Sequence, residues 1–495
     1  MRLEQLAEHL LTARLSGDKN TEISGLEIDS RKVSAGDLFI CLPGHTQDGH
    51  DFAPQAKELG AAALVVDRLL PIGLPQILVK DCRLAMAVLA DAFYGQPSRK
   101  LKLIGVTGTN GKTTTTYLIE RILADAGFKP GVIGTVEQRY GGRSYPMSGT
   151  TPEALVLQRS LAAMVEAGTD YCAMEVSSHA LEQGRVKGCR YRIAIFTNLT
   201  QDHLDYHFTM EKYAAAKELL FSRLGNDYAQ NKAERTYAVL NADDKISEQF
   251  AKATSSEVIT YGVDQEADIR ATHVRITAHG TSFHLTTFKG EADITLQMAG
   301  KFNVYNALAA VGAALIEEVP LDQIKASLES LHGVPGRVEA VKAGQPFAVI
   351  VDYAHTPDGL ENVLAAVKEL ATGKIICVFG CGGDRDRTKR PLMGSIAGRY
   401  ADYAIVTSDN PRTEDPQQIL KDVEVGLIGD GVPGDRYELQ EDRRAAIQKA
   451  VDMASPEDVI LIAGKGHEAY QIIGSNTYDF DDRVVAKEAI RSLTL

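Results

Sequence analysis

Gly105-Val106-Thr107-Gly108-Thr109-Asn110-Gly111-Lys112-Thr113-Thr114 is the stretch on which the fold turns. An apolar run at 101–106 leads into it. Ile119, Ile122, Leu123 and Ala126 follow at i, i+3, i+4 and i+7, one face of a helix that Gly127 ends. A glycine-rich turn between a strand and a helix is the setting of a phosphate-binding loop. Glycines let backbone N–H groups close on phosphate oxygens, and the helix N-terminus adds a positive dipole. Gly108 to Thr114 are therefore candidate nucleotide contacts, with Lys112 reaching the β- and γ-phosphates and the Thr113 hydroxyl holding Mg²⁺. The strict pattern asks for glycine six positions before Lys112, where this chain has Val106.

Strand–helix alternation spreads outward from this loop. Apolar runs at 171–176, 192–197 and 236–241 read as buried strands. Later, 347–351, 374–379, 403–407 and 459–463 read the same way, and Pro357 opens a helix with Leu360, Val363, Leu364 and Val367 on one face. The pattern is α/β, with doubly wound parallel sheets that bind ligands at the carboxyl ends of their strands. The first hundred residues form a smaller α/β module, with apolar runs at 37–42 and 62–66. Turn-rich breaks at 95–98 and 333–336 divide the 495 residues into three expected domains, 1–98, 99–333 and 334–495.

Composition narrows the partners. The net charge of −13 argues against bulk attraction to nucleic acid or an anionic membrane, so an anionic ligand needs a locally basic site. The N-terminus alternates charged and apolar residues unlike a signal peptide, and no run has the ~18 apolar residues of a membrane span. Six scattered cysteines form no CxxC pair, so neither a zinc site nor a disulfide framework is indicated. The reading is a cytosolic protein without nucleic-acid binding or membrane insertion.

Three further segments carry chemistry. Glu175 closes the strand at 171–176, where a carboxylate at a parallel-strand end suits a Mg²⁺ ligand. The loop Asn198-Leu199-Thr200-Gln201-Asp202-His203-Leu204-Asp205-Tyr206-His207 offers a second metal or phosphate shell, or equally a hydrogen-bonded turn. Asp409-Asn410-Pro411-Arg412 follows the strand at 403–407, and an arginine there offers a fork for a carboxylate. A locally basic run at 382–390 follows the strand at 374–379 on the same sheet edge, making Arg385 a second carboxylate contact.

The ordered series resembles the Mur ligase family. It runs from the phosphate loop through Met174-Glu175-Val176-Ser177-Ser178-His179, Asn198-Leu199 and Asp202-His203-Leu204-Asp205. Gly300-Lys301-Phe302-Asn303-Val304-Tyr305-Asn306, Gly336-Arg337-Val338-Glu339 and Asp352-Tyr353-Ala354-His355-Thr356-Pro357 continue it over nearly the whole chain. The resemblance implies an N-terminal UDP-binding domain, a central ATPase and a C-terminal Rossmann-like domain that binds an amino acid. It implies a cytoplasmic, monomeric, ATP-dependent amide ligase of peptidoglycan precursor synthesis, ADP-forming, with Mg²⁺ as cofactor. Its substrates would be ATP, a UDP-muramoyl dipeptide ending in D-glutamate, and meso-diaminopimelate, joined through an acyl phosphate.

By the same resemblance Lys112, Thr113, Glu175 and His203 are phosphate and Mg²⁺ groups, and Asn306, Arg337 and Asp352 contact ATP. Lys217 matches the family's carbamylated lysine, a second Mg²⁺ ligand that requires a partly desolvated, neutral amine. Ile28, Ser30, His45, Thr46 and Gln47 resemble uridine-binding segments. Thr150, Thr151, Ser177, Gln183 and Arg185 resemble contacts to the muramoyl peptide. Arg385, Asp409, Asn410, Pro411, Arg412, Gly464 and Glu468 match the diaminopimelate-adding pattern, whose lysine-adding relatives lack the arginine. Two other readings compete: a folylpolyglutamate-type ligase, which needs neither the Asp-Asn-Pro-Arg string nor a UDP domain, and a P-loop switch that forms no amide.

Overall fold

The expected strand before the phosphate loop is Lys102–Thr107 and the helix behind it is Lys112–Asp125 in a computed structural model. The structure describes residues 1–44, 47–147, 149–226, 228–277 and 280–493. The chain forms two compact units. One comprises Met1–Gly105, Phe128–Ala194 and Asn226–Thr236; the other comprises Val106–Gly127, Ile195–Gly225 and Tyr237–Leu495.

The first unit opens with a five-stranded sheet ordered Arg14–Ser16, Gln76–Leu78, Ala63–Val66, Asp37–Ile40, Gly25–Glu27. All its neighbours are parallel except the edge strand Arg14–Ser16. Leu38, Ile40, Ala63 and Val65 face one core layer with the helix Cys82–Phe93, while Phe39, Leu64 and Val66 face the other. That split is the period-two alternation of a sheet covered on both faces. Parallel pairing puts the loops after Glu27 and Ile40 on one sheet edge. Further along, Tyr171–Glu175 pairs in parallel with Pro130–Ile133, and two short antiparallel strands follow.

The second unit carries Tyr237–Asn241 parallel to Glu257–Gly262. Beyond them lies an antiparallel set, Ile269–Thr277, Gly280–Thr287 and Gly290–Leu296, which the reading of a purely parallel central sheet did not include. These strands alternate buried and exposed residues, the signature of a sheet with one wet face. The C-terminal part is a six-stranded sheet ordered Glu339–Ala340, Ala348–Asp352, Val459–Ala463, Ile375–Phe379, Tyr403–Thr407, Tyr437–Gln440. Only the first strand is antiparallel. The helices Pro357–Leu370, Lys389–Tyr400 and Pro416–Gly429 cover one face, and Arg443–Met453 with Asp482–Ser492 cover the other. Among the described residues no helix is long and apolar enough to cross a membrane.

A buried ion pair fixes the carboxyl edge of this sheet. Arg443 and Asp482 are both fully buried, with Nε and Nη2 of the arginine donating to the two carboxylate oxygens at 2.8 and 2.7 Å. Arg443 also donates to the carbonyls of Ala463, which ends one strand, and Ser408, which follows another two places along the sheet. Asp482→Asn should leave a buried guanidinium half-paired and cost about 3–5 kcal/mol, read as a lower urea midpoint. An unchanged midpoint would show that the carbonyl bonds alone satisfy Arg443.

Candidate active site

The phosphate loop is built by two glycines. Gly108 has φ +149°, and a Cβ there would meet Thr197 Oγ1 at 1.8 Å. Gly111, at φ +85°, caps the helix from the left-handed region. The loop is stitched to its neighbours: Thr109 N–H donates to Asn198 O at 2.8 Å, and Asn110 N–H to Asn198 Oδ1 at 2.9 Å. Thr197 Oγ1 donates to Asn110 O at 2.7 Å. Gly108→Ala should lower ATP affinity about fivefold or more, since strain and overlap of about 1–3 kcal/mol fall on the loop itself. Titration of a fluorescent ATP analogue reads this, and unchanged affinity would mean the loop does not cradle phosphate.

Lys112 lies folded over the loop, its Nζ donating to Gly108 O at 2.9 Å and Thr109 O at 2.7 Å. Thr113 Oγ1 accepts from Arg337 Nη2 at 2.8 Å, and the guanidinium stacks over Tyr353 at 4.4 Å. Asp352 accepts from the N–H groups of Val338 and Ala354, both at 2.7 Å, so it shapes the turn carrying Arg337. Burial pushes its carboxyl up, against Arg337 and these bonds. Asn306 is buried beneath the loop, its Oδ1 3.5 Å from Thr115 Oγ1. The ATP candidates Gly108 to Thr114, Asn306, Arg337 and Asp352 thus converge within one unit.

Lys217 is buried on the helix Met210–Ser222, its Nζ donating to Gly108 O at 2.8 Å and lying 4.4 Å over the Tyr213 ring. Burial first, then the charge of Lys112, holds its amine well below the usual lysine range. His203 takes a left-handed conformation and sets Nε2 3.3 Å from Asp202 Oδ2. Asp202 also lies 3.7 Å from Lys389 Nζ and 3.8 Å from His355 Nε2. Burial raises the Asp202 carboxyl, but Lys389 and His203 outweigh it and hold it below the usual range. Burial, then Lys389, pushes His355 down to about 4. Asn110 Nδ2 donates to Asp358 Oδ2 at 2.7 Å, and Gln201 Nε2 to Thr388 Oγ1 at 2.9 Å. Sequence reading passed over Asp358, and met Tyr213, Lys389, Asp202 and His355 only within longer segments, without a role of their own. A buried-edge aspartate beside a chosen histidine was the available signal for Asp202.

In the first unit Glu175 is buried, accepting from Thr135 N–H at 2.9 Å and Thr135 Oγ1 at 3.0 Å. Around it, Thr150 and Thr135 hydroxyls meet at 3.0 Å, and Thr151 Oγ1 donates to Glu175 O at 2.9 Å and accepts from Ser177 N–H at 3.1 Å. Arg185 donates to Thr151 O at 2.9 Å and to Gln183 Oε1, and pairs with Glu153 at 3.1 Å. All five muramoyl-peptide candidates therefore fall in one polar cluster. Ser30 Oγ donates to Gln55 Oε1 at 2.7 Å, Ile28 N–H donates to Glu27 Oε1, and Gln47 O accepts from Gly44 N–H. Both segments lie at the shared sheet edge; His45 and Thr46 lie outside the described residues.

The C-terminal candidates also meet. Asn410 Nδ2 donates to Glu468 Oε2 at 2.9 Å. Gly464 approaches Asp409 so closely that a Cβ would lie 2.7 Å from Oδ2. Arg412 follows Pro411 with φ +53°, and its Nη1 donates to Gly383 O at 2.8 Å. Among the described residues its guanidinium makes no ion pair. Burial, then neighbouring Arg385, lowers its pKa against the opposing pull of Asp409 and Glu468, so two cations lie together with no carboxylate hydrogen-bonded to Arg412 among the described residues. Opposite them, Asp409 and Glu468 place two carboxylates beside one ammonium, Lys465. One face is short of negative charge and the other of positive, the complement of a zwitterionic amino-acid head.

Oxygen donors for Mg²⁺ are present in chemistry: the Thr113 hydroxyl, the Glu175 carboxylate, and Lys217 if converted to a carbamate.

Three family models cover the chain: Mur ligase middle domain at 106–314, Mur ligase glutamate ligase domain at 336–466, and Mur ligase family catalytic domain at 22–94. The UDP-N-acetylmuramoyl-L-alanyl-D-glutamate–2,6-diaminopimelate ligase of Bacillus cereus is 52% identical over 490 residues, covering 99% of this chain and 98% of its own. Its namesake from Geobacillus kaustophilus is 53% identical over 494 residues, covering 99% of each. A solved structure of a ligase of that name is 34% identical with a TM-score of 0.67, covering 100% of this chain and 99% of its own. Folylpolyglutamate synthase of Mycobacterium tuberculosis, 18% identical with a TM-score of 0.64, covers 83% of this chain and 95% of its own and shares the fold. With its motifs in register from end to end, the chain belongs to the Mur ligase family of ATP-dependent ligases and has their three-domain α/β fold.

Proposed function

We propose that this chain joins meso-diaminopimelate to the D-glutamate side-chain carboxylate of UDP-N-acetylmuramoyl-L-alanyl-D-glutamate, driven by ATP, in peptidoglycan precursor synthesis. The relatives' names support the substrates, and one structural observation carries the amino-acid choice. Among the described residues Arg412 holds a half-buried positive charge without an ion pair, near enough to Asp409 and Glu468 to feel both carboxylates. Meso-diaminopimelate has a distal ammonium and carboxylate to fill both faces, whereas lysine lacks the distal carboxylate.

A carboxylate resists an amine because it is anionic and has no good leaving group. In the proposed sequence its oxygen attacks the γ-phosphorus of ATP, ADP departs, and an acyl phosphate forms. The amine nitrogen then attacks the acyl carbon. The tetrahedral intermediate expels phosphate and loses a proton, leaving the amide. Catalysis is mostly positioning and charge neutralisation. Lys112, released from its loop carbonyls, reaches the β- and γ-phosphates, while the loop N–H groups hold them. Arg337, stacked on Tyr353, adds a second cation at Thr113. The Thr150, Thr151, Ser177, Gln183 and Arg185 cluster orients the muramoyl peptide, and Ile28, Ser30, His45, Thr46 and Gln47 hold the uridine. Mg²⁺, held by Thr113, Glu175, His203 and carbamylated Lys217, would neutralise charge on the phosphates when bound.

The domain boundaries proposed are 1–98, 99–333 and 334–495; the family-model matches at 22–94, 106–314 and 336–466 support them. The chain is proposed to act in the cytoplasm as a monomer. The test is omission of substrates one at a time. Phosphate release should require ATP, the UDP-muramoyl dipeptide and the amine together. Release from ATP alone would favour a P-loop switch, and activity without the UDP-linked substrate would favour a folate-type ligase.

A further inference from the structure

The turn Gly464-Lys465-Gly466-His467-Glu468 leaves the strand Val459–Ala463 at the sheet edge that carries Asp409 and Asn410. Its first residue is pinned by Gly464 N–H donating to Asp352 O at 3.0 Å, and Glu468 N–H donates back to Lys465 O at 2.9 Å. With Gly464 at φ +113° and Gly466 at φ +53°, the lysine side chain between them is turned wholly inward and is fully buried. Its Nζ donates to Asn410 Oδ1 at 3.2 Å and to Glu468 Oε2 at 3.1 Å, and lies 5.4 Å over the Tyr470 ring. Asn410 is thereby held from both ends of its amide: Oδ1 accepts from Lys465 and from Ile472 N–H, and Nδ2 donates to Glu468.

We propose that Lys465 is a positioning residue for the amino-acid pocket: its buried ammonium fixes Asn410 and Glu468 and lets Asp409 and Glu468 both stay ionised, which gives the pocket the negative charge that takes the substrate ammonium. This rests on the reading of 409–412 and 464–468 as that pocket.

The charge count supports the assignment. Arg443, the other buried cation nearby, is already bidentate to Asp482. Lys465 is the buried cation in direct hydrogen-bond contact with the carboxylate pair, at Glu468 Oε2. Burial and Asp409 push Glu468 up, and Lys465 opposes them. Burial also raises Asp409, but Lys465 and Arg443 outweigh it and hold it down. Tyr353, Tyr470, Arg412 and Arg443 also act on both carboxylates and His355 acts on Asp409, but among the described residues Lys465 is the cation that donates a hydrogen bond to the pair, at Glu468 Oε2. Two buried carboxylates without a cation share a proton. A neutral residue at 465 would leave the pocket half-discharged.

The experiment measures KM for meso-diaminopimelate and for ATP from neutral to mildly alkaline pH in wild type, Lys465→Met and Lys465→Arg. Lys465→Met should raise the diaminopimelate KM about 100-fold at neutral pH, as a misplaced contact does, with the ATP KM unchanged. That KM should fall as pH rises and the shared proton leaves. Wild type and Lys465→Arg, which keep the charge, should lack this slope. Lys465→Gln, which retains a hydrogen-bond donor for Glu468, carries the same assay if Lys465→Met does not fold. A diaminopimelate KM that stays at the wild-type value, or one that rises without the pH slope, would overturn the proposal. Wild type that does not use diaminopimelate at all would instead overturn the functional reading beneath it.

Discussion

Replacing Arg412 by alanine is expected to raise the KM for meso-diaminopimelate by about 30-fold or more while leaving the KM for ATP unchanged. The backbone holds this residue rigidly: its N–H donates to Ile472 O at 3.1 Å and its carbonyl accepts from Gly474 N–H at 2.7 Å. Among the described residues only the carbonyl oxygens of Gly383 and Asn410 accept hydrogen bonds from its guanidinium, so the charge is oriented without a directly paired carboxylate. Arg385 alongside makes the spot more positive, and burial makes that charge costly in the free enzyme. A substrate carboxylate relieves both effects. Truncating one partner of such a desolvated pair costs about 2–5 kcal/mol, which sets the size of the KM change. Arg412→Lys should recover only part of it, because an ammonium lacks the planar fork. Steady-state kinetics with each substrate varied in turn is the check. Equal losses in both KM values would mean that Arg412 supports the fold rather than the substrate.

The second large effect is at Lys217. Lys217→Ala should lower kcat by about 10²–10³, the range seen when one group that stabilises transition-state charge is removed. Binding of ATP should persist, since the loop glycines and Lys112 remain. Burial and the nearby charge of Lys112 both favour the neutral, nucleophilic form that can add to carbon dioxide. That addition forms a nitrogen–carbon bond, releases one proton and turns the neutral amine into an anionic oxygen ligand. A small carboxylate such as formate should then restore part of the activity of Lys217→Ala. Loss without rescue would assign the role to the amine itself. Unchanged turnover would remove Lys217 from the machinery.

Legibility in the sequence followed local rules. The strands at 403–407 and 459–463 and the helix opening at Pro357 are where the apolar runs and the proline placed them. Strand ends then located the chemistry, because Glu175, Asp409 and Gly464 each close or follow a buried strand. Non-local facts were not legible. The antiparallel strands between Ile269 and Leu296 are rich in polar residues on their wet face and lack the continuous apolar signal of the parallel ones. Lys465 sits between two motif positions chosen by resemblance, yet no spacing rule says that a lysine in a glycine turn points inward. Tyr213 and Asp358 likewise matter only because distant segments bring Thr109 and Asn110 against them. The uridine-edge residues Ile28, Ser30 and Gln47 look like ordinary turns, and only resemblance singled them out.

The central claim is tested most directly by ADP release with ATP and UDP-N-acetylmuramoyl-L-alanyl-D-glutamate, comparing meso-diaminopimelate with L-lysine as the amine and weighing the UDP-linked product by mass spectrometry. Turnover with diaminopimelate, with the product heavier by one diaminopimelyl residue, and none with lysine is the predicted result. Turnover with lysine in preference to diaminopimelate would contradict the pairing of Arg412 with a distal carboxylate, and silence with both would contradict the ligase reading itself.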